Sequence, residues 1–143
     1  MRTADLFGPA RLRLPCFAPA DGATAWKTPV PSLGSVYDLI VGDKGIIYAL
    51  VGLAAGGLEI LGLDADTGAV LYRFTGLAGN RTGGYYAPEM VLQNGFIYLL
   101  NGDNPGVFYG IPVPSTDYDP GSSWPVRLHD NQRTSNAKAP LKP

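Results

Sequence analysis

Few stretches of this chain combine residues able to do chemistry. Asp64-Ala65-Asp66-Thr67-Gly68 spaces two carboxylates like the first and third ligands of a calcium loop. Such a loop also needs an oxygen ligand at its fifth place and a bidentate Glu at its twelfth, where this chain has Gly68 and Thr75. The same residues suit a tight turn, in which Asp or Thr side chains accept from local backbone amides and Gly68 takes the left-handed position. His129 is the sole histidine, and it lies beside Asp130 in a polar tail with no rigid element to aim it at a serine. It reads as a surface hydrogen-bonding group. Tyr85-Tyr86, next to Gly83-Gly84, either forms an aromatic contact patch on a loop or covers a sheet edge below. Asn80-Arg81-Thr82 is a glycosylation sequon, relevant only in a eukaryotic secretory setting. No catalytic, cofactor or metal set is assembled by spacing alone.

Composition narrows the elements that could position these residues. Nineteen Gly and thirteen Pro among 143 residues are too many for long helices and suit short strands joined by turns. With 45% apolar and 16% charged residues the chain is globular, and a net charge of −1 gives no reason to expect nucleic acid or an anionic membrane as partner. No apolar run is long enough to span a bilayer, and Arg2, Asp5, Arg11 and Arg13 interrupt any signal-peptide core. Cys16 is the single cysteine, which excludes an intrachain disulfide and fits either a reducing compartment or a cysteine-poor secreted protein.

An internal repeat organises the rest. Gly45-Ile46-Ile47-Tyr48 returns fifty residues later as Gly95-Phe96-Ile97-Tyr98, and Leu61-Gly62-Leu63 returns forty-eight later as Tyr109-Gly110-Ile111. The Asp64–Tyr72 stretch is prefigured forty-six residues earlier, which sets Trp26 in the place of Tyr72. One period contains four strands. Val36–Val41 turns through Gly42–Gly45 into Ile46–Val51, whose continuous apolar run predicts burial on both faces. Leu58–Leu63 follows, and after the Asp64–Gly68 turn Ala69–Thr75 alternates like a half-exposed rim strand. The next period supplies Pro88–Gln93, Phe96–Leu100 and Val107–Val113 and then loses the pattern in a polar linker, Ser115–Ser123. Residues 1–18 carry no repeat and are unassigned; residues 114–143 read as linker and extended tail.

Four antiparallel strands per period, buried within and wetter at the rim, predict an all-β fold: a partial β-propeller of about two blades plus one strand of a third. The units fall at 19–28, 36–75 and 85–113. The turn Asp64, Asp66, Thr67 and Gly68, followed by Tyr72 and matched upstream by Trp26, resembles the repeat of the pyrroloquinoline-quinone-like β-propellers. Trp124-Pro125-Val126-Arg127-Leu128-His129-Asp130-Asn131-Gln132-Arg133-Thr134 is similar to a segment that flanks such repeats in bacterial members, departing from it at Arg127, Leu128 and Ser135. The resemblance implies the C-terminal part of a longer, periplasmic or extracellular propeller. Its partners would be other blades or proteins, or further copies of itself. Quinone and calcium would be held only by a complete ring, with residues that cannot be matched here. The expected role is therefore non-catalytic binding or scaffolding. The alternatives are a remnant of a quinoprotein dehydrogenase and a small unit that closes a ring by homo-oligomerisation, because two blades cannot close a circle of roughly 4–8 and expose apolar faces alone.

Overall fold

The computed structural model describes residues 13–18, 20–30, 35–79, 88–103 and 105–121. These residues form nine strands and no helix. The strands make three antiparallel sheets of two, four and three strands. The all-β expectation holds among the described residues, and the three sheets are not closed on one another.

The central sheet runs in simple order through β3 (Ser35–Gly42), β4 (Ile46–Gly52), β5 (Leu58–Asp64) and β6 (Val70–Leu77). It matches the complete period read from the sequence, with strand ends shifted by a residue or two. The β3–β4 hairpin turns at Gly45, whose φ of 66° suits a residue without a Cβ. The third sheet orders β7 (Glu89–Gln93), β8 (Phe96–Leu100) and β9 (Phe108–Pro112). Its hairpin turns through Asn94 and Gly95, both at positive φ, as a two-residue turn matching strand twist requires.

The first sheet is a hairpin of β1 (Arg13–Phe17) and β2 (Thr24–Pro29). The repeat predicts only a single rim strand near Trp26, with Arg13–Phe17 unassigned; the structure adds Arg13–Phe17 as that strand's partner. Pro15 hides the extra strand, because proline lacks a ladder donor; it is tolerated here since β1 lies at an edge.

The central sheet is sandwiched between the other two. Along β4 the side chains alternate between two separate cores. Ile46, Tyr48 and Leu50 pack with Met90, Leu92, Ile97, Leu99 and Ile111 of the third sheet. Ala49 and Val51, with Leu61 and Leu63, pack with Val30, Trp26 and Leu14 on the hairpin side. The continuous apolar run of β4 is thus explained by burial on both faces, each fully buried Leu or Ile contributing about 1.5–3 kcal/mol. β6 is more exposed than its alternation predicts: Val70, Leu71 and Tyr72 are all open, and only Phe74 and Leu77 are partly covered. The backbones of the central and third sheets come closest at β3 and β7, the first strand of each. There Asp38 Oδ2 accepts from the Met90 amide at 2.9 Å, an inter-sheet bond buried from water.

Candidate interaction surface

The Asp64–Gly68 turn is a self-contained structural device. Asp64 Oδ1 accepts from the Thr67 amide and hydroxyl, both at 2.8 Å, and from the Asp66 amide at 3.1 Å. The Thr67 hydroxyl and these amides hold the Asp64 carboxyl below its ordinary pKa by favouring the charged form. Gly68 closes the turn by donating to the Asp64 carbonyl at 2.8 Å and has φ 72°. The hairpin clasps this turn from outside: Trp26 Nε1 donates to the Ala65 carbonyl at 2.9 Å, and Thr28 Oγ1 to that of Gly68 at 2.5 Å. A Cβ on residue 68 would lie 2.5 Å from Trp26 Cε3 and 2.6 Å from Thr28 Oγ1. One carboxylate is committed to the turn, and no group of three metal-binding side chains occurs among the described residues.

Trp26 and Tyr72 occupy equivalent places in the repeat, yet the structure separates them. Trp26 reaches across to the turn of the neighbouring sheet. Tyr72 lies over its own cross-strand partner Gly62, where an added Cβ would meet Tyr72 Cδ2 at 2.9 Å. The central turn has a clasping aromatic because the hairpin supplies one. Tyr85, Tyr86, Asn80–Thr82 and the His129 tail lie outside the described residues.

Residues 115–119, expected to be a linker, form a strap that joins the two larger sheets. Thr116 donates its amide to Asp43 Oδ1 at 2.9 Å, and its carbonyl accepts from Gly95 at 2.9 Å. The Asp43 amide donates to the Asp117 carbonyl at 2.9 Å, and that of Asp119 to the Val41 carbonyl at 2.7 Å. Beneath the strap the Tyr48 hydroxyl donates to Ser115 Oγ at 3.1 Å. Burial pushes the Tyr48 phenol pKa up, partly opposed by its bonds to Ser115. Ser115 is fully buried, so this Ser–Tyr pair is structural. The strap is concealed in the sequence because it is held by its backbone amides and carbonyls, with the Ser115 hydroxyl bonded to Tyr48, and backbone bonds of this kind leave no mark on residue type. The buried Tyr118 is its one apolar signal.

A further feature escapes a reading by motifs. The third sheet has one face in the core and one outside. On the outside, β-ladder register sets nine residues in three rows: Glu89, Leu100 and Phe108; Val91, Tyr98 and Gly110; Gln93, Phe96 and Pro112. Phe108 is 66% exposed, Leu100 52% and Phe96 40%. Tyr98 sits at the centre, its ring centroid 6.1 Å from Phe96 and 5.8 Å from Phe108. Glu89 is the one acid on this grid, at a corner, and no Lys or Arg belongs to it. The signal was present in the repeat, since Phe96, Tyr98 and Leu100 stand fifty residues after Ile46, Tyr48 and Leu50. Those three are buried against the third sheet. The same strand positions are thus covered in one sheet and open in the next.

Arginine and asparagine side chains trim the sheet ends. Glu59, 4% exposed, pairs with Arg73 at 2.9 Å on the hairpin side of the central sheet. Asn101 Oδ1 accepts from the Asp103 and Val107 amides, while its Nδ2 donates to the Ala78 carbonyl at 3.2 Å, tying the loop after β8 to the end of β6. No helix among the described residues is long and apolar enough to cross a membrane. No family model, curated protein or solved structure matches this chain.

Proposed function

We propose that this chain is a non-catalytic module of stacked β-sheets, of the pyrroloquinoline-quinone-like propeller type, that binds or scaffolds protein in a bacterial envelope or secreted assembly. One observation carries the reading. The strand positions that bury Ile46, Tyr48 and Leu50 between two sheets present Phe96, Tyr98 and Leu100 on the outside of the last one. An exposed, contiguous apolar sheet face marks an interaction surface. Two further features support the propeller type: hydrogen-bonded strands in simple order within the sheets, and sheets closest at their first strands.

A photoreactive phenylalanine analogue at Phe108 in producing cells tests the reading. It is expected to give protein adducts that the same analogue at the exposed turn residue Lys44 does not. Equal labelling at both positions would refute a dedicated surface. Titration with pyrroloquinoline quinone and calcium, followed by absorbance and dye-linked alcohol oxidation, addresses the enzymatic alternative. No response is expected, and a response would replace scaffolding with catalysis.

A further inference from the structure

We propose, independently of the binding reading above, that Asn94 is a site of spontaneous deamidation and that the strap at residues 115–119 sets its rate. The chemistry needs an asparagine followed by a residue that leaves the next amide nitrogen unhindered, and glycine, without a Cβ, does so best. The chain holds two such pairs, Asn94-Gly95 and Asn101-Gly102. At the first, the Gly95 nitrogen gives up its proton and attacks Asn94 Cγ. The new C–N bond closes a cyclic imide, and Nδ2 leaves as ammonia, taking up the proton. Solvent water then opens the ring at either carbonyl, leaving an aspartate or an isoaspartyl linkage that runs through the side chain.

The fold separates the two pairs. Asn101 is 3% exposed. Its Oδ1 accepts from the Asp103 and Val107 amides, and its Nδ2 donates to the Ala78 carbonyl and to Asp103 Oδ2. Turning its Cγ toward the Gly102 nitrogen breaks this set and strands buried polar groups. Asn94 is exposed at the tip of the β7–β8 hairpin, and no hydrogen bond among the described residues holds its side chain. Here the restraint falls on the nucleophile instead. The Gly95 amide donates to the Thr116 carbonyl at 2.9 Å, and the Gly95 carbonyl accepts from the Val113 amide at 2.9 Å. Thr116 is fixed in turn by its amide on Asp43 Oδ1, and Ser115 by Tyr48. The nitrogen can turn to attack only when the strap lifts, so the rate follows the fraction of time the strap is open. An isoaspartyl linkage adds a methylene to the backbone of a two-residue turn whose φ values of 52° and 80° match the strand twist, and the β7–β8 register is lost with it. The strap thereby protects the hairpin that supplies Met90, Leu92, Ile97 and Leu99 to the core.

The test ages the full chain in mildly alkaline buffer, folded and in denaturant, and places the mass gain by peptide sequencing in a mass spectrometer. In denaturant Asn94 and Asn101 should react at similar rates. In the folded chain Asn94 should react at least about tenfold more slowly than in denaturant, and Asn101 about tenfold more slowly again. Asp43→Ala removes the charged acceptor of the Thr116 amide and should speed Asn94 about tenfold without moving Asn101. Ser115→Ala removes the bond beneath the strap and should act in the same direction; it carries the test if circular dichroism shows that Asp43→Ala does not fold. Arg73→Ala, which weakens the hairpin side of the central sheet, should leave the Asn94 rate unchanged, so that local opening is read rather than global unfolding. Equal rates at Asn94 and Asn101 in the folded chain, or an Asn94 rate that strap variants raise no more than Arg73→Ala does, overturn the proposal.

Discussion

Replacing Gly68 by Ala isolates what the hairpin contributes to the central sheet. Two costs arise at this position. An L-residue at φ 72° pays backbone strain of about 1–2 kcal/mol. The new Cβ also meets Trp26 Cε3 at 2.5 Å and Thr28 Oγ1 at 2.6 Å, so the hairpin must retreat. Retreat stretches the bonds from Trp26 to Ala65 and from Thr28 to Gly68, each contributing about 1 kcal/mol net. The expected loss is about 3–4 kcal/mol. Gly45→Ala provides the control, because Gly45 has φ 66° and no atom within 4 Å of an added Cβ. It bears the strain alone, about 1–2 kcal/mol. Urea unfolding measures both, and the Gly68 variant should unfold at a midpoint clearly below that of the Gly45 variant with a similar slope. In a Trp26→Ala background the excess penalty at Gly68 should shrink, since one of the two contacts is gone. Equal destabilisation of the two glycine variants would show that the clasp does not bear on the turn, and the reasoning would fall.

Tyr48→Phe deletes the hydroxyl bonded to Ser115 and leaves the buried Oγ without that partner, a loss of about 1–3 kcal/mol by chemical denaturation. Because the folded-state pKa of Tyr48 is raised, the wild type should lose stability as pH climbs through and above about 10, and the Phe variant should lose less of it there. Asp64 titrates in the opposite sense: its folded pKa is depressed, so its contribution is present above the ordinary carboxylate range and is lost as pH falls through the folded value. Asp64→Asn should flatten that part of the acid unfolding limb followed by circular dichroism. Arg73→Ala leaves the Glu59 carboxylate buried without its cation and should cost about 1–3 kcal/mol, whereas Arg73→Ala with Glu59→Gln should recover part of it in a double-mutant cycle.

Much of the fold was legible because it rests on local rules. The β3–β4 and β7–β8 hairpins follow from Gly45 and Asn94-Gly95 between apolar runs. The Asp64–Gly68 turn is written in residues that bond their own backbone. The unbroken apolarity of β4 predicts cover on both sides, and it has it. Features that depend on distant partners were not legible. β1 is a strand because Leu14 and Trp26 share a face against the central sheet, a context that outweighs Pro15. The strap at 115–119 looks like a linker because its polar side chains suggest solvent, whereas it is held by backbone amides and carbonyls that bond Asp43, Val41 and Gly95, far away in sequence.

The exposed face of the third sheet divides in the same way. Its residues were visible in the repeat, but their exposure was not, since Ile46, Tyr48 and Leu50 carry the same pattern and are buried. Sequence alone determined the all-β class, the four strands of the central sheet and their turn chemistry, because strand alternation and positive-φ glycines act over a few residues. Tertiary structure decided which sheets stack, which aromatic clasps which turn, and which repeated face remains exposed. Those outcomes depend on what lies across a gap of about 10 Å between sheets, and local sequence carries no measure of that.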